Sequence, residues 1–108
     1  MTQLFKHTFD NNILFDFLEK ICDKKDNHYL FDSNAYKRAQ LNNKLNLFLD
    51  SLKPYYYLSK RFYLERIIDY NKLSTIIRQI CKFKHISFYT NIKYSKSKYN
   101  IPYYIYYA

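Results

Sequence analysis

Glycine and tryptophan are missing from this 108-residue chain, and cysteine, proline and methionine are scarce, at two, two and one. Without glycine there is no Gly-rich cradle for a phosphate, which excludes nucleotide hydrolysis at a P-loop and dinucleotide binding at a Rossmann turn. Cys22 and Cys81 have no CxxC partner, and His7, His28 and His85 lie far apart in sequence, so no zinc-ligand spacing is present. Each cysteine falls on the apolar side of a predicted helix and is expected to be a buried, reduced thiol, which points to an intracellular protein. No run approaches the ~18 apolar residues of a membrane span, and the opening MTQLFKHTFDNN has no apolar secretion core. A soluble, non-secreted chain with no membrane partner is the expectation.

Acid is the other shortage, and it is local. From Met1 to Leu52 seven Lys/Arg face seven Asp/Glu, whereas from Lys53 to Ala108 eleven Lys/Arg face only Glu65 and Asp69. The formal charge of +9 therefore belongs to the second half, which also carries 12 of the 14 tyrosines. Cations interleaved with flat rings suit a polyanion that bears bases, so nucleic acid is the first partner to consider. Abundant Lys, Asn, Ile, Tyr and Phe beside absent Gly and Trp is also what an AT-rich genome encodes. Tyrosine count alone therefore carries no functional argument.

Apolar residues make up 48% of the chain and aromatics 21%, enough for a folded core and unlike a disordered basic tail. The length suits a single domain over residues 1–108, and a domain of this size buries roughly two-thirds of its unfolded surface. Asp10 or Asn11 can cap a first helix, in which Ile13, Leu14, Phe17, Leu18 and Ile21 form a stripe. DKKDN (23–27) breaks it, a short strand is expected over Tyr29 to Phe31, and Asp32, Ser33 and Asn34 form a cap cluster. A second helix is predicted from about Asn34 to Leu52, with Leu41, Leu45, Phe48, Leu49 and Leu52 on one face, ended by Pro54. The stretch from Tyr55 to Tyr70 fits both a helical turn and an extended segment, and is read as an irregular or short helical beginning followed by an extended segment near Arg66 to Asp69.

Asp69 or Asn71 can cap a third helix with Leu73, Ile76, Ile77 and Ile80 inward and Thr75, Arg78, Gln79 and Lys82 outward. That outer face has cations and amides but no acid, where a merely solvated face usually mixes signs. After His85 the period changes to two. Ile86, Phe88, Thr90, Ile92 and Tyr94 alternate, SKSK intervenes, and Tyr99, Ile101, Tyr103, Ile105 and Tyr107 alternate again. A four-residue loop pairs Tyr94 with Tyr99, Ile92 with Ile101 and Phe88 with Ile105, and sets Tyr89 opposite Tyr104 and Lys93 opposite Asn100. Pro102 argues for an edge position for the last strand.

The predicted fold is α+β and winged-helix-like: three helices, a C-terminal two-stranded β-hairpin and a short extra strand. In that arrangement the helix before the hairpin enters the major groove and the hairpin loop reaches a phosphate backbone or the minor groove. Arg78 can grip a guanine edge or a phosphate with two prongs, and Gln79 matches an adenine edge. Lys72, Lys82 and Lys84 flank them, and Lys93, Lys96 and Lys98 put three cations on the hairpin turn beside Ser95 and Ser97. A secondary patch of Lys53, Lys60, Arg61 and Arg66 lies among Tyr55, Tyr56, Tyr57 and Tyr63, a mixture that also suits unpaired bases.

Catalytic spacing is absent. Asp16 and Glu19 fit a solvated helix face, and Asp23 and Asp26 fit a turn. A tyrosine nucleophile can be written with Tyr70 or Tyr99 and Arg66 or Arg78, but among 14 tyrosines such a coincidence is ordinary. No enzyme activity, metal or cofactor is expected.

LFDFLEKIC, LDSLKPYYYLSKRFY, YNKLSTIIRQICK and IKYSKSKYNIPYYIYY resemble small uncharacterised proteins of giant, nucleocytoplasmic large double-stranded DNA viruses, over about Phe9 to Tyr107. The resemblance implies an AT-rich viral genome and a place in the host cytoplasm, the viral factory or the virion, and it transfers no site residue. The functional expectation is a non-catalytic nucleic-acid-binding protein that favours double-stranded DNA over single strands or RNA, for transcription regulation or genome packaging. The alternative is a virion-structural or protein-interaction module that uses the tyrosine-rich hairpin edge, as a homo-oligomer or with a virion partner.

Overall fold

Aspartate starts three of the helices. In the computed structural model, which describes residues 5, 6, 8–57, 68–90 and 101–106, the Asp10 carboxylate accepts from the Ile13 amide at 3.0 Å and opens α1 (Asn11–Ile21). Asp32 accepts from the Ala35 amide at 2.9 Å and opens α2 (Ser33–Leu41). Asp69 accepts from the Lys72 amide at 2.7 Å and opens α4 (Tyr70–Phe83). Each such cap satisfies an amide that the helix cannot, worth about 1 kcal/mol. The stripe read for α1 is its inner face, with Leu14, Phe17, Leu18 and Ile21 buried.

The single helix expected over 34–52 is two helices, α2 and α3 (Lys44–Leu52), so four helices, not three, stand among the described residues. The apolar spacing ran on through Asn42 and Asn43, but asparagine is a weak helix former that tolerates the left-handed region. Asn43 takes φ 57°, its amide closes a turn onto the Gln40 carbonyl, and the chain restarts at Lys44 in a new direction. Leu41, expected on the inner stripe, is consequently 86% exposed, while Phe48, Leu49 and Leu52 are buried.

With no glycine available, the other left-handed position among the described residues falls to a histidine. At the end of α4 the Ile86 amide reaches the Cys81 carbonyl at 2.9 Å and the His85 amide reaches Lys82 at 3.2 Å, a Schellman closure in which His85 takes φ 56° where glycine is usual. This turn leads directly into the sheet.

Among the described residues the sheet is antiparallel and has four strands in the order β1 (Asp23–Lys24), β2 (His28–Phe31), β4 (Tyr103–Tyr106), β3 (Phe88–Thr90). The DKKDN stretch is therefore part of a small hairpin as well as a helix break, with Asp23 opposite Leu30. The register read from loop length holds in the described part: Phe88 pairs with Ile105 and Tyr89 with Tyr104. The pairs that involve residues 91–100, including Tyr94 with Tyr99, lie outside the described residues. The edge position inferred from Pro102 is corrected. Pro102 precedes the first residue of β4, so its missing N–H costs the ladder nothing, and β4 pairs with β2 on one side and β3 on the other.

Alternation then gives the sheet two unlike faces. Tyr29, Phe31, Tyr103 and Ile105 are buried beneath the helices, and His28, Leu30, Tyr104 and Tyr106 on the other face are half-buried. The core runs through one connected cluster from Phe5 to Ile105, in which Phe17 meets Phe48 edge-on at 6.2 Å between α1 and α3. Phe5 stacks on Phe83 at 4.0 Å and bridges to Tyr56, which ties the chain start to the end of α4.

His85→Gly removes the Cβ crowding of the left-handed conformation, roughly 1–2 kcal/mol, less the extra freedom glycine gives the unfolded chain. A net gain of roughly 0.5–1 kcal/mol is expected, read as a higher urea midpoint at unchanged slope. A lower midpoint would contradict the helix-end geometry described above.

Candidate nucleic-acid interface

Helix α4 presents the face that the sequence singled out. Tyr70, Leu73, Ser74, Ile76, Ile77, Ile80 and Cys81 are buried, and Asn71, Lys72, Thr75, Arg78 and Lys82 are exposed. The buried Ser74 hydroxyl donates to the Tyr70 carbonyl at 2.8 Å, so the inner face leaves no hydroxyl unsatisfied. On the outer face the Thr75 hydroxyl donates to the Asn71 carbonyl at 3.0 Å, which leaves its oxygen free to accept only. Arg78 and Lys82 are four residues apart and so neighbours on one side of the helix. Neither forms an ion pair among the described residues, where the two salt bridges are Lys24 with Glu19 and Arg38 with Asp23.

Two of the expected contact residues are tethered to the protein itself. Tyr56 donates its hydroxyl to the side-chain Oε1 of the half-buried Gln79, so that oxygen is already engaged within the fold. The Lys84 ammonium donates to the Phe9 carbonyl and lies 5.5 Å from the centre of the Phe9 ring, so it clamps the N-terminal segment to the end of α4. Sequence spacing could not reveal either tether, because Tyr56 and Phe9 are 23 and 75 residues away from their partners.

The hairpin cations Lys93, Lys96 and Lys98 lie outside the described residues, as do Lys60, Arg61 and Arg66 of the secondary patch. Lys53 is exposed at the end of α3. Its tyrosine neighbours divide. Tyr56 is buried against Phe5 with ring centres 5.0 Å apart, Tyr55 packs on Phe9 at 5.2 Å, and Tyr57 is exposed with the Lys6 ammonium 5.2 Å above its ring. Core packing is therefore the role of two of the three.

The tyrosine nucleophile written with Tyr70 meets a physical obstacle. Its hydroxyl is within 2.6 Å of the Ile101 carbonyl and 3.2 Å of the Phe31 carbonyl, and burial raises its pKa well above 10.0, aided by Tyr103, Asp32 and Cys22. A phenol held in its neutral form and committed to backbone carbonyls is a poor nucleophile. Tyr99 lies outside the described residues. Both cysteines are free thiols, Cys81 buried and Cys22 half-buried. Among the described residues, no group of three or more His, Cys, Asp and Glu side chains could hold a metal ion, and no helix is long and apolar enough to cross a membrane.

No family model matches this chain, and no curated protein or solved structure is significantly similar to it.

Burial pushes the Cys81 thiol from 9.0 up to about 12, and burial followed by the neighbouring Cys81, Asp23 and Asp32 raises Cys22 as well. With Tyr70 these are three acids whose neutral forms the fold prefers. Their contribution is whole below the unfolded-state values, 9.0 for the thiols and 10.0 for the phenol, and is lost as pH climbs from those values through the raised folded-state ones, about 12 for Cys81. Urea midpoints are expected to be flat up to about pH 8.5 and to fall above it, and Cys81→Ala should soften the onset. A midpoint that rises above pH 9 would contradict this assignment.

Proposed function

We propose that the chain is a non-catalytic DNA-binding module of winged-helix-like build that lays α4 against double-stranded DNA, in transcription regulation or genome packaging. One observation carries the reading: the exposed face of α4 is free of acid and holds Arg78 and Lys82 side by side without ion-pair partners among the described residues. Elsewhere in the described chain, acids lie near cations, as in the Glu19 and Asp23 pairs, or cap helices, as Asp10, Asp32 and Asp69 do. Two adjacent cations, Arg78 and Lys82, with no ion pair among the described residues are the arrangement that a phosphate backbone complements.

Strand order adds support. The strand directly before α2, β2, pairs with the last strand, which pairs in turn with the strand directly after α4, the order of a winged-helix sheet, with β1 added at its edge. Arg78 would make the two-pronged contact to a phosphate or a guanine edge, Lys82 a point contact to phosphate, and Gln79 would offer N–H donors. Thr75 would accept a hydrogen bond, and Lys72 would sit over the backbone at the first turn. The competing picture, in which the last strand of the hairpin adds to a partner's sheet, loses its main support because β4 is already paired on both sides.

The test is a fluorescence anisotropy titration with a labelled 20-base-pair duplex. Reversing both charges, Arg78→Glu with Lys82→Glu, is expected to abolish binding while the circular dichroism spectrum stays unchanged. For the wild type, neutralisation of about six phosphates gives a slope of roughly −5 for log affinity against log salt. Unchanged duplex affinity in the double variant would remove α4 from the account.

A further inference from the structure

The outer face of the sheet is paved with rings. Alternation along β4 turns Tyr104 and Tyr106 away from the core, opposite to Tyr103 and Ile105. Pairing then sets Tyr89 of β3 beside Tyr104, and His28 of β2 beside Tyr106. His28 lies 5.6 Å from Tyr104 and 5.4 Å from Tyr106, and Tyr89 meets Tyr106 edge-on at 5.5 Å and 82°. Four rings from three strands are thus contiguous, and Tyr89 is 58% exposed.

Four other tyrosines are used differently. Tyr29, Tyr36, Tyr56 and Tyr70 each spend the hydroxyl on a protein acceptor, namely Glu19, the Ile68 carbonyl, Gln79 and the Ile101 carbonyl. Tyr89, Tyr104 and Tyr106 have no such bond among the described residues, and Tyr89 is exposed. The first group uses its hydroxyls inside the fold, and the second does not among the described residues.

We infer that this face is a stacking platform for the unpaired bases of single-stranded DNA, with Tyr89 as its outermost ring and Tyr104, Tyr106 and His28 behind it. Aromatic rings stack on base faces, which a duplex hides and a single strand exposes. A net charge of +9 draws a polyphosphate strand and repels a second copy of the chain, and Leu30 is the one aliphatic residue on this face among the described strands, which disfavours a protein partner. The platform is separate from α4, whose Tyr70 stacks on Phe31 at 4.7 Å on the opposite side of the sheet. It therefore stands independently of the duplex reading.

Labelled (dT)12 titrated against the full chain tests the inference, and because the protein has no tryptophan, quenching of tyrosine emission reports the same event. Tyr89→Leu, alone and with Tyr104→Leu, is expected to weaken (dT)12 binding about tenfold, whereas the Phe replacements keep affinity within about twofold because the ring remains. Duplex affinity and Tm should not change in these variants, so failure here is distinguishable from failure of the α4 reading. The exposed Tyr89 site serves as the fold-neutral variant should the double replacement unfold. Absence of (dT)12 binding by the wild type, equal affinity in Tyr89→Leu, or equal losses in the Leu and Phe variants would overturn the platform. Binding of (rU)12 in place of (dT)12 would overturn the choice of DNA.

Discussion

Tyr70 is the joint on which the arrangement of this molecule depends. Its ring lies parallel to Phe31 at 4.7 Å, meets Tyr36 edge-on at 5.9 Å and sits 6.4 Å from Tyr103, so one side chain at the first turn of α4 touches α2, β2 and β4. Its hydroxyl reaches the carbonyls of Phe31 and Ile101. A helix anchored so close to its start, and capped by Asp69 one residue earlier, cannot rotate about its axis without breaking both contacts. That rotational setting is what sends Arg78 and Lys82 outward while Leu73, Ile77 and Ile80 enter the core.

Aromatic residues also do work that smaller residues do in other chains. Phe5, Phe9, Tyr55, Tyr56 and Phe83 close the far end of the core, where Phe5 stacks on Phe83 and Lys84 holds the Phe9 carbonyl. Ring pairs contribute about 0.5–1.5 kcal/mol beyond their buried area, which helps a domain of this size to offset its chain entropy. Lack of glycine is met differently, by Asn43 and His85 in the left-handed region, two residue types that tolerate it better than most. Charge is divided as well: in the first half acids cap helices and pair with cations, whereas Arg78 and Lys82 of α4 form no ion pair among the described residues.

Much of this was legible because it is local. Caps at Asp10, Asp32 and Asp69 depend on a side chain and an amide three residues away, and the inner stripes of α1 and α4 depend on spacings of three and four. The pairing of Phe88 with Ile105 follows from loop length and a period of two. The break at Asn43 was missed because the apolar spacing continued across it, and backbone geometry overrode the pattern. Pro102 misled because a single missing N–H says where a strand cannot be paired, and here the strand begins one residue later.

Taken alone, the amino-acid order determined the helices α1 and α4 with their apolar sides, the strands around Tyr29, Phe88 and Tyr103, and that positive charge concentrates from Lys53 onward, since each depends on neighbours within a few residues or on simple counting. Only the tertiary structure decided that β4 lies between β2 and β3, that Gln79 and Lys84 are tethered to Tyr56 and Phe9, and that His28 joins Tyr89, Tyr104 and Tyr106 in one row of rings. Those contacts join residues tens of positions apart. Their choice rests on how the whole core closes, a sum over many weak packing terms that no short window of sequence contains.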